Sequence, residues 1–454
     1  MTSPNRRHAA HRNAPRHVRA LAPGALVDAG DPAGPRRPSH ARTLRHHSVL
    51  RVVAMGMTAV LAFALGGGAA AAIKFTGNIE TVDADEALAA VERPTVVEPE
   101  DPNAGTPLNI VLMGSDDRSG ENADLGGAND GMRSDTTMVM HISADRTRVE
   151  LVSIPRDSIV NTPQCPTSDG KLAPALKGTR FNAAFAQGVA YGKDVQSGAL
   201  CAMATIESLT NVRMDGFIVV DFAGFKNMID ALGGVTMCIP EEVYSPKADH
   251  LRLAAGNQTL DGLQALQYAR ARTGQGLGDG SDTSRIGRQQ EMMAALAREV
   301  LSKNMLTDSP ALIQFLNAVT QSLTMSSNFA SLTGLTGLAY SLRNVRPDTI
   351  TFMTVPWGAN PADKNTVVWT SAAGVVWENM RNDVPVGTPA GGVTSPAPAD
   401  DAAGSAAAPD ESPTDQPDDA APPAADATPT PTPTETKQAG KEAFTGADVT
   451  SVCG

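Results

Sequence analysis

The amino-acid sequence predicts a mixed α/β domain, with a partly antiparallel sheet sandwiched by helices on both faces (three-layer α/β/α) and one N-terminal transmembrane helix. Between residues 108 and 385, short apolar runs alternate with longer segments whose apolar residues recur at helical spacing. Such alternation is typical of a sheet covered by helices. Two neighbouring apolar runs are separated only by residues 143–147, which is short enough for an antiparallel hairpin, so we expect a mixed sheet.

The strands are predicted from the short apolar runs. The last of these runs ends at Pro356, which lacks the N–H that a sheet ladder needs. In chain order, the predicted strands are 109–114, 136–142, 148–154, 217–220, 235–239 and 350–355.

The helices are predicted from segments whose apolar residues recur at helical spacing. Residues 222–232 are one example, and the two glycines that follow them form a plausible helix stop. The other predicted helices are 199–210, 261–271, 284–302, 309–323, 330–342 and 372–381, with a short one at 83–92.

A membrane anchor is predicted at residues 52–73, which carry no charge. At about 1.5 Å of rise per residue, such a helix crosses a hydrocarbon core of roughly 30 Å. A buried helix and a cleaved signal peptide are the alternatives, although the apolar part of a signal peptide is usually shorter and closer to the N-terminus. Ten Arg precede the run, so the positive-inside rule places residues 1–51 in the cytoplasm and everything after residue 73 outside.

Charge is distributed unevenly around the predicted domain. Residues 1–51 are interpreted as a basic, disordered cytoplasmic arm, and residues 74–107, with eight acidic residues and four Pro, as an extracytoplasmic stalk. Residues 386–454 are predicted to be a disordered tail rich in Ala, Pro, Asp and Thr that ends near a Cys, because they contain too few large apolar residues to form a core. Residues 108–385 contain 23 basic and 28 acidic residues, so we expect no nucleic-acid partner.

All four cysteines follow the predicted anchor. An even number of cysteines in an oxidising compartment predicts two disulfide bonds, for which three pairings exist. We favour Cys165 with Cys201, and Cys238 with Cys453, which would fasten the end of the tail to the domain. Metal binding is disfavoured because the spacings are unlike C-x₂-C pairs.

Several kinds of catalytic site are poorly supported. The sequence contains neither a phosphate-binding P-loop motif nor the G-x-S-x-G motif of a serine hydrolase. After the predicted anchor there are only two histidines, His141 and His250. His141 lies in an alternating strand pattern and is interpreted as a packed strand residue. The glycine-rich residues 274–280 follow a predicted helix rather than a strand, so they are interpreted as a loop and not as a dinucleotide-binding site.

Arginine and aspartate recur together at the ends of predicted strands and in the loops beyond them. We call these segments the Arg–Asp motifs, and they are residues 114–118, 131–135, 154–157, 268–272 and 282–290. Ligand clefts form at strand ends in helix-covered sheets. Seven arginines that face one cleft would repel one another unless an anion lay among them, and Arg is suited to bind phosphate oxygens. The aspartates Asp116 and Asp135 either neutralise these arginines or hold Mg²⁺. The sequence therefore predicts a phosphate-binding cleft, with a purely structural network of ion pairs as the alternative.

These motifs, in this order, resemble the LytR–CpsA–Psr family of bacterial cell-envelope proteins in its actinobacterial form. The similarity runs from about Pro107 to Lys303 and continues more weakly to about Pro385. A cytoplasmic arm, one membrane span and an outer domain are also the topology of that family. Linking segments at 181–185, 219–225, 230–235 and 260–266 carry the resemblance between the Arg–Asp motifs.

The resemblance implies a membrane-anchored phosphotransferase that moves a glycopolymer from a polyprenyl-pyrophosphate carrier to peptidoglycan, or to a surface glycoprotein, through a phosphodiester bond. A pyrophosphatase activity is a further expectation. The lipid would lie in an apolar tunnel between the sheet and the helices. The partners implied are the lipid-linked glycopolymer, the peptidoglycan or protein acceptor, and the membrane.

The resemblance also assigns residues. It implies that Asp116 and Asp135 hold Mg²⁺ or a similar divalent cation, with Asp117 as an alternative to Asp116. Asp157 and Asp282 are candidates to accept the proton of the attacking hydroxyl. The residues expected to bind pyrophosphate are Arg118, Arg133, Arg156, Arg270, Arg272, Arg285, Arg288 and Gln289, and those expected to be catalytic are Arg156, Arg285, Arg288 and Asp157.

Two other functions remain as hypotheses. The chain could be a non-catalytic membrane receptor that binds wall polymer and signals through the basic arm, like a transcription attenuator. It could also be a structural surface protein whose acidic tail acts as a spacer in the wall, although the Arg–Asp motifs would then have no explanation.

Overall fold

The structure is a computed structural model. It describes residues 80–96, 105–118, 122–126, 132–302, 323–330, 337–338, 341–389, 436–448, 450 and 453. The predicted basic arm and membrane anchor lie outside these residues, as do most of the predicted helices 309–323 and 330–342. Among the helices that are described, none has the length and apolar character needed to span a membrane.

The described strands and helices follow in chain order. The strands are β1 (Glu80–Val82), β2 (Leu108–Ser115), β3 (Ser134–Ile142), β4 (Val149–Ile154), β5 (Ile159–Thr162), β6 (Cys165–Pro166), β7 (Leu172–Ala173), β8 (Leu176–Arg180), β9 (Gly216–Val220), β10 (Val235–Ile239), β11 (Val243–Ser245), β12 (Leu251–Leu253), β13 (Gly256–Leu260), β14 (Leu323–Ser326), β15 (Ile350–Thr354), β16 (Trp357–Ala359), β17 (Val367–Trp369) and β18 (Phe444–Thr445). The helices are α1 (Ala84–Leu88), α2 (Asn122–Gly126), α3 (Asn182–Gly192), α4 (Val195–Thr210), α5 (Phe222–Ala231), α6 (Gly262–Arg270), α7 (Asp282–Ser302) and α8 (Ser371–Arg381).

The centre of the fold is an eight-stranded mixed sheet with the order β1-β14-β9-β2-β3-β4-β15-β18. Strand β3 runs antiparallel to both β2 and β4, while β2 is parallel to β9 and β4 is parallel to β15. The predicted mixed α/β class is therefore confirmed, and so is the hairpin made by β3 and β4. The carboxyl ends of β2, β9, β4 and β15 meet at one edge of the sheet, together with the amino end of β3.

Helices pack on both faces of this sheet because side chains alternate along each strand. Val111 and Met113 belong to a hydrophobic core that includes residues of α3, α4 and α8. Ile110, on the opposite face of the same strand, packs in a second core with Ala294 of α7. All six residues of β4 are buried, as expected for a strand covered on both sides.

A smaller lobe lies beside the main sheet. The predicted strand 235–239 is present as β10, but it pairs with β13 in a separate two-stranded sheet. This lobe has its own hydrophobic core, shared with α6 and α7. Helix α3 was absent from the sequence prediction because its apolar residues are mostly Ala and Gly, which give only a weak helical period.

The folded domain begins earlier than predicted. Residues 80–96, which the sequence assigned to the stalk, form β1 and α1 and pack on the domain. Leu88 is fully buried, and the side chain of Arg93 pairs with Glu207 at 2.7 Å and with Asp85 at 2.6 Å. The acidic composition of this segment predicted a solvated chain, whereas Asp85 is neutralised by Arg93 of the same segment and by Arg213 of the domain, at 2.7 Å.

The predicted tail is also folded at its end. Residues 436–448 are described, and Phe444 of β18 is buried against the main sheet. Both favoured disulfide bonds are present, Cys165–Cys201 and Cys238–Cys453. Residues 390–435, the centre of the predicted tail, lie outside the described residues.

Candidate functional site

A cavity of about 1230 Å³ lies between one face of the sheet and helices α5, α6 and α7. This volume is larger than the roughly 300–1,000 Å³ of common small-molecule sites. Much of its wall is apolar, with Leu112, Met138 and Ile218 from the sheet and Phe225 and Met292 from the helices. The polar side chains on its wall include Asp135, Arg118, Arg270, Arg272, Arg285 and Gln289.

Asp135, at the start of β3, is the point where three predicted arginines meet. Its Oδ1 accepts a hydrogen bond from Arg156 Nη1 at 2.7 Å, and its Oδ2 lies 3.5 Å from Arg272 Nη2. Its backbone carbonyl accepts a hydrogen bond from Arg285 Nη2 at 3.3 Å. Burial alone would raise the pKa of Asp135, but the guanidinium groups of these three arginines hold it below its usual value.

Arg285 lies on the first turn of α7 and is only 2% exposed. It donates a hydrogen bond to Asp282, whose Oδ1 also lies 3.3 Å from Arg156 Nε. Burial lowers the pKa of Arg285 and raises that of Asp282. Among the described residues, neither Arg285 Nε nor Asp282 Oδ2 has a hydrogen-bond partner. One buried donor and one buried acceptor are thus left to a ligand or to water.

Arg118 and Arg270 form the second cationic part of the cavity wall. Arg270 Nη1 donates to the carbonyl of Leu125 at 2.7 Å, and its guanidinium carbon lies 4.0 Å from the ring centre of Phe222. Burial, followed by the charge of Arg118, lowers the pKa of Arg270. Arg118 Nη2 is 3.9 Å from Asp116 Oδ2. An anion beside this pair would relieve the repulsion between its members.

Asp116 lies directly after β2, in a loop that is bonded to residue 133. Its backbone N–H donates to the carbonyl of Arg133 at 2.9 Å, and its carboxylate accepts from the Arg133 backbone N–H. Burial, together with the negative charge of Asp135, raises the pKa of Asp116. Arg133 is exposed, and its described contacts with Asp116 are made by the backbone. The structure therefore does not place the Arg133 side chain on the cavity wall.

Arg288 also lies off the cavity wall. It is 6% exposed and donates to the carbonyls of Leu277, at 2.7 Å, and of Ala271. These contacts join α7 to the end of α6 and to the glycine-rich loop 274–280, in which Gly276 and three neighbouring glycines have positive φ. The structure gives Arg288 a role in fixing this loop, whereas its neighbour Gln289 lies on the cavity wall.

Sequence reasoning missed Arg180, at the end of β8. Its Nη1 lies 3.2 Å from Asp157 Oδ1, and Asp157 Oδ2 lies 3.6 Å from Arg156 Nε. The carboxylate of Asp157 thus links the predicted arginine cluster to an additional, half-exposed guanidinium. Arg180 directly precedes residues 181–185, a segment that carries the family resemblance. That position is the feature of the sequence from which Arg180 could have been proposed as a site residue.

The carboxylates of Asp116 and Asp135 are suitable in kind for a hard divalent cation. They are close enough for the negative charge of Asp135 to raise the pKa of Asp116. A cation between them would offset this repulsion between the two carboxylates. Within the part of the chain that the structure describes, no group of three or more His, Cys, Asp or Glu side chains could hold a metal. A bound Mg²⁺ would therefore need water and ligand oxygens as well, as is usual for this ion.

The fold and the site together define a mixed α/β domain with arginines and aspartates on the wall of a large, mostly apolar cavity. This combination suits an amphiphilic ligand with an apolar tail and an anionic head. The sequence model of the LytR_cpsA_psr family matches residues 72–382. The chain belongs to the LytR–CpsA–Psr family.

Two relatives illustrate this membership. The chain is 30% identical over 264 residues to the cell wall biosynthesis protein LcpA of Corynebacterium glutamicum, covering 55% of this chain and 49% of LcpA. It is 30% identical over 231 residues to the polyisoprenyl-teichoic acid–peptidoglycan teichoic acid transferase TagU of Oceanobacillus iheyensis, covering 51% of this chain and 63% of TagU. The match thus spans about half of LcpA and less than two thirds of TagU.

Solved structures are also similar. The LytR-Csp2A-Psr enzyme from Actinomyces oris aligns with a TM-score of 0.45 and 22% identity, covering 67% of this chain and 96% of that one. TagV of B. subtilis aligns with a TM-score of 0.44 and 22% identity, covering 61% of this chain and 94% of TagV.

Proposed function

We propose that this protein is a membrane-anchored phosphotransferase that transfers a glycopolymer from a polyprenyl-pyrophosphate carrier to peptidoglycan, or to a surface glycoprotein, through a phosphodiester bond. The observation that carries the proposal is the cavity itself, in which apolar walls and a cluster of arginines face the same space. A diphosphate attached to an isoprenoid chain is a ligand that would use both. The names of LcpA and TagU, which refer to cell-wall biosynthesis and to transfer onto peptidoglycan, support the same class of reaction.

The apolar part of the cavity would bind the polyprenyl chain. Burying apolar surface is worth about 25 cal/mol per Å², so a long isoprenoid supplies much of the affinity without contributing to the chemistry. Phe225 and Met292, which lie on α5 and α7, offer polarisable contacts of variable shape. The lipid would therefore hold the reacting diphosphate at the arginine cluster.

The arginines would bind the diphosphate. Arg285 and Arg272 meet at Asp135, and Arg270 adjoins Arg118, so a diphosphate between the two groups could accept charge-assisted hydrogen bonds from both. The same groups would stabilise the charge that develops on the phosphoryl oxygens in the transition state. Hydrolysis by water in place of the acceptor would give the expected pyrophosphatase activity.

In the proposed reaction, a hydroxyl of the acceptor attacks the phosphorus next to the sugar. The new phosphorus–oxygen bond forms as the bond to the bridging oxygen breaks, and polyprenyl phosphate leaves. Asp282 and Asp157 are the candidates to take the hydroxyl proton, and each has one carboxylate oxygen without a hydrogen-bond partner among the described residues. We favour Asp282 because burial raises its pKa, which makes its carboxylate the stronger base. Both carboxylates lie beside two arginines. Asp157 lies between Arg156 and Arg180, and Asp282 lies between Arg156 and Arg285.

A divalent cation such as Mg²⁺ is part of the proposal. Asp116 and Asp135 would hold it, and it would neutralise charge on the phosphate oxygens. The proposed location is the outer side of the cell membrane, with the uncharged run 52–73 as the anchor and residues 1–51 in the cytoplasm.

The proposal is tested with the purified full chain in detergent, a synthetic polyprenyl-pyrophosphate glycan, a peptidoglycan acceptor and Mg²⁺. We expect polyprenyl phosphate to be released and a phosphodiester-linked product to form, with a large loss of rate in Arg156→Ala. Arg346→Ala is a matched control, because this exposed arginine is paired with its near neighbour Asp348 and, among the described residues, forms no other ion pair. A wild-type chain that binds the donor or the wall polymer without any turnover would favour the receptor hypothesis instead.

A further inference from the structure

Residues 436–448, which we call the C-terminal strap, lie beyond the part of the chain that the family model matches. They nevertheless complete the main sheet, because β18 pairs antiparallel with β15. Phe444 of the strap is 1% exposed and stacks on Phe352, with ring centres 5.3 Å apart. A side chain buried to this degree belongs to the core rather than to a loosely attached tail.

The strap packs along helix α7, which carries the arginine cluster. Helical periodicity divides α7 into two opposite faces. One face lines the cavity through Arg285, Gln289, Met292 and Leu296. The other face carries Gly287, Gln290 and Arg298, and each of these residues meets the strap.

Three contacts join that second face to the strap. Gly287 lies so close to Ala439 that a Cβ at position 287 would be 2.5 Å from the Ala439 carbonyl oxygen. Gln290 Oε1 accepts a hydrogen bond from the backbone N–H of Gly440 at 2.9 Å. Arg298 Nη1 donates to the carbonyl of Gly446 at 2.8 Å. The strap thus follows α7 over about three helical turns.

Gln290 connects the strap, the helix and the sheet. It is fully buried, and its Nε2 donates to Ser153 Oγ at 2.9 Å and to Thr354 Oγ1 at 3.2 Å. These hydroxyls belong to β4 and to β15, the strand that pairs with β18 of the strap. Gln290 adjoins Gln289 and lies little more than one helical turn from Arg285. Its hydrogen bonds therefore fix the rotation of α7 about its axis, and that rotation turns Gln289 and Arg285 toward the cavity.

The chain also ties the strap down covalently. Cys453, beyond the strap, is bonded to Cys238 of β10 in the smaller lobe. Strap, helix and lobe are therefore connected by a covalent bond as well as by packing. A disulfide bond of this kind keeps the strap at high effective concentration beside α7.

We propose that the C-terminal strap is an integral part of the ligand site, which sets the position of α7 through Gln290 and thereby aims Arg285 and Gln289 at a bound diphosphate. Gln290 is accordingly a positioning residue for the reaction. The role in diphosphate binding rests on the proposed function, whereas the ordering of α7 by the strap does not.

The first test compares Gly287→Ala with Gly374→Ala. Both glycines lie in helices, but a Cβ at position 374 meets no atom within 4 Å, so only the first substitution pushes the strap away. Binding of inorganic pyrophosphate and amide hydrogen exchange are measured on the full chain in detergent. We expect Gly287→Ala to weaken pyrophosphate binding about tenfold, or about 1.4 kcal/mol, and to speed exchange along α7, with Gly374→Ala unchanged.

The second test removes the strap and returns it. A chain ending at Glu435 should bind pyrophosphate more weakly and show faster exchange in α7, and a synthetic peptide of residues 436–448 should restore both. Unchanged affinity and exchange in both the truncated chain and Gly287→Ala would overturn the proposal. If the wild type binds no pyrophosphate at all, the proposed function fails, and exchange in α7 alone decides whether the strap orders the helix.

Discussion

Arg156 and Asp135 are joined by a hydrogen bond of 2.7 Å although they lie at opposite ends of their strands in the sequence, one after β4 and the other at the start of β3. The antiparallel pairing of β3 with β4 brings these two positions to the same edge of the sheet. The carboxylate of Asp135 also lies beside Arg272, and its backbone carbonyl accepts a hydrogen bond from Arg285. One residue thus holds together arginines from three separate parts of the chain, two through its carboxylate and Arg285 through its backbone carbonyl, and the space beside them is the cavity.

Replacing Arg285 with Ala should weaken binding of a polyprenyl pyrophosphate roughly 10- to 100-fold, as expected for the loss of one charge-assisted hydrogen-bonding group. Arg285 lines the cavity, and its Nε is left without a partner among the described residues. Isothermal titration with the lipid pyrophosphate measures the change. Arg346→Ala serves again as the control, and equal affinities for the two variants would contradict a direct contact by Arg285.

Replacing Arg288 with Ala should act mainly on stability. It leaves the carbonyls of Leu277 and Ala271 without their buried donor, which should lower the free energy of unfolding by roughly 2–5 kcal/mol. Chemical denaturation measures this loss. The donor affinity should fall less in Arg288→Ala than in Arg285→Ala when both are compared under conditions where they are folded. If Arg288→Ala has normal stability but no longer binds the donor, Arg288 contacts pyrophosphate directly, as the sequence predicted.

Much of the fold could be predicted from local pattern. Strands β2, β3 and β4 are apolar runs bounded by polar residues, and the short connection between β3 and β4 implied their pairing. Because the end of β4 and the start of β3 must meet at one edge, the proximity of Arg156 to Asp135 could also be predicted. Arg272 and Arg285 come from a loop and a helix, so their approach to Asp135 depends on how α6 and α7 pack on the sheet. A resemblance that spans the same motifs placed the chain in its family.

Other features depend on long-range packing that local pattern does not encode. Arg288 fits the arginine motif as well as Arg285 does, yet its carbonyl partners lie on the glycine loop and at the end of α6. Phe444 is an isolated aromatic residue after a long polar segment, so nothing nearby predicted that it would stack on Phe352. Arg93 likewise follows an acidic run, and its partner Glu207 is distant in sequence.

Asp282 should control the acid side of the pH–rate profile. Burial raises its pKa above that of an ordinary Asp, so the carboxylate that can accept a proton forms only as the pH rises above the usual Asp range. We expect kcat/KM to increase with pH over that interval and the increase to disappear in Asp282→Asn, with a low residual rate. If kcat/KM of Asp157→Asn still rises with pH over that interval, Asp157 is not the general base. If the rise is lost in Asp157→Asn and kept in Asp282→Asn, Asp157 is the general base instead of Asp282.

The carboxylate of Asp383 should make the stability of the protein depend on pH. His141 is fully buried in β3, with Nδ1 at 2.7 Å from Asn109 Oδ1 and Nε2 at 3.0 Å from Asp383 Oδ1. Arg148 Nη2 donates to the same carboxylate at 2.8 Å, and the backbone N–H of Ala144 donates to its other oxygen. Burial by itself would raise the pKa of Asp383, but these donors hold it below its usual value.

A carboxylate whose pKa is lowered by folding stabilises the protein fully above the pKa it has when unfolded, about 3.9. That contribution is lost as the pH falls through the lower pKa of the folded state. Asp383→Asn should therefore unfold more easily than wild type at neutral pH, and the difference between the two should shrink below about pH 4. Denaturation curves at several pH values measure it, with Asp363→Asn, in an exposed turn, as the control. A difference that stays constant down to the acid limit would mean that Asp383 contributes through packing and neutral hydrogen bonds rather than through its charge.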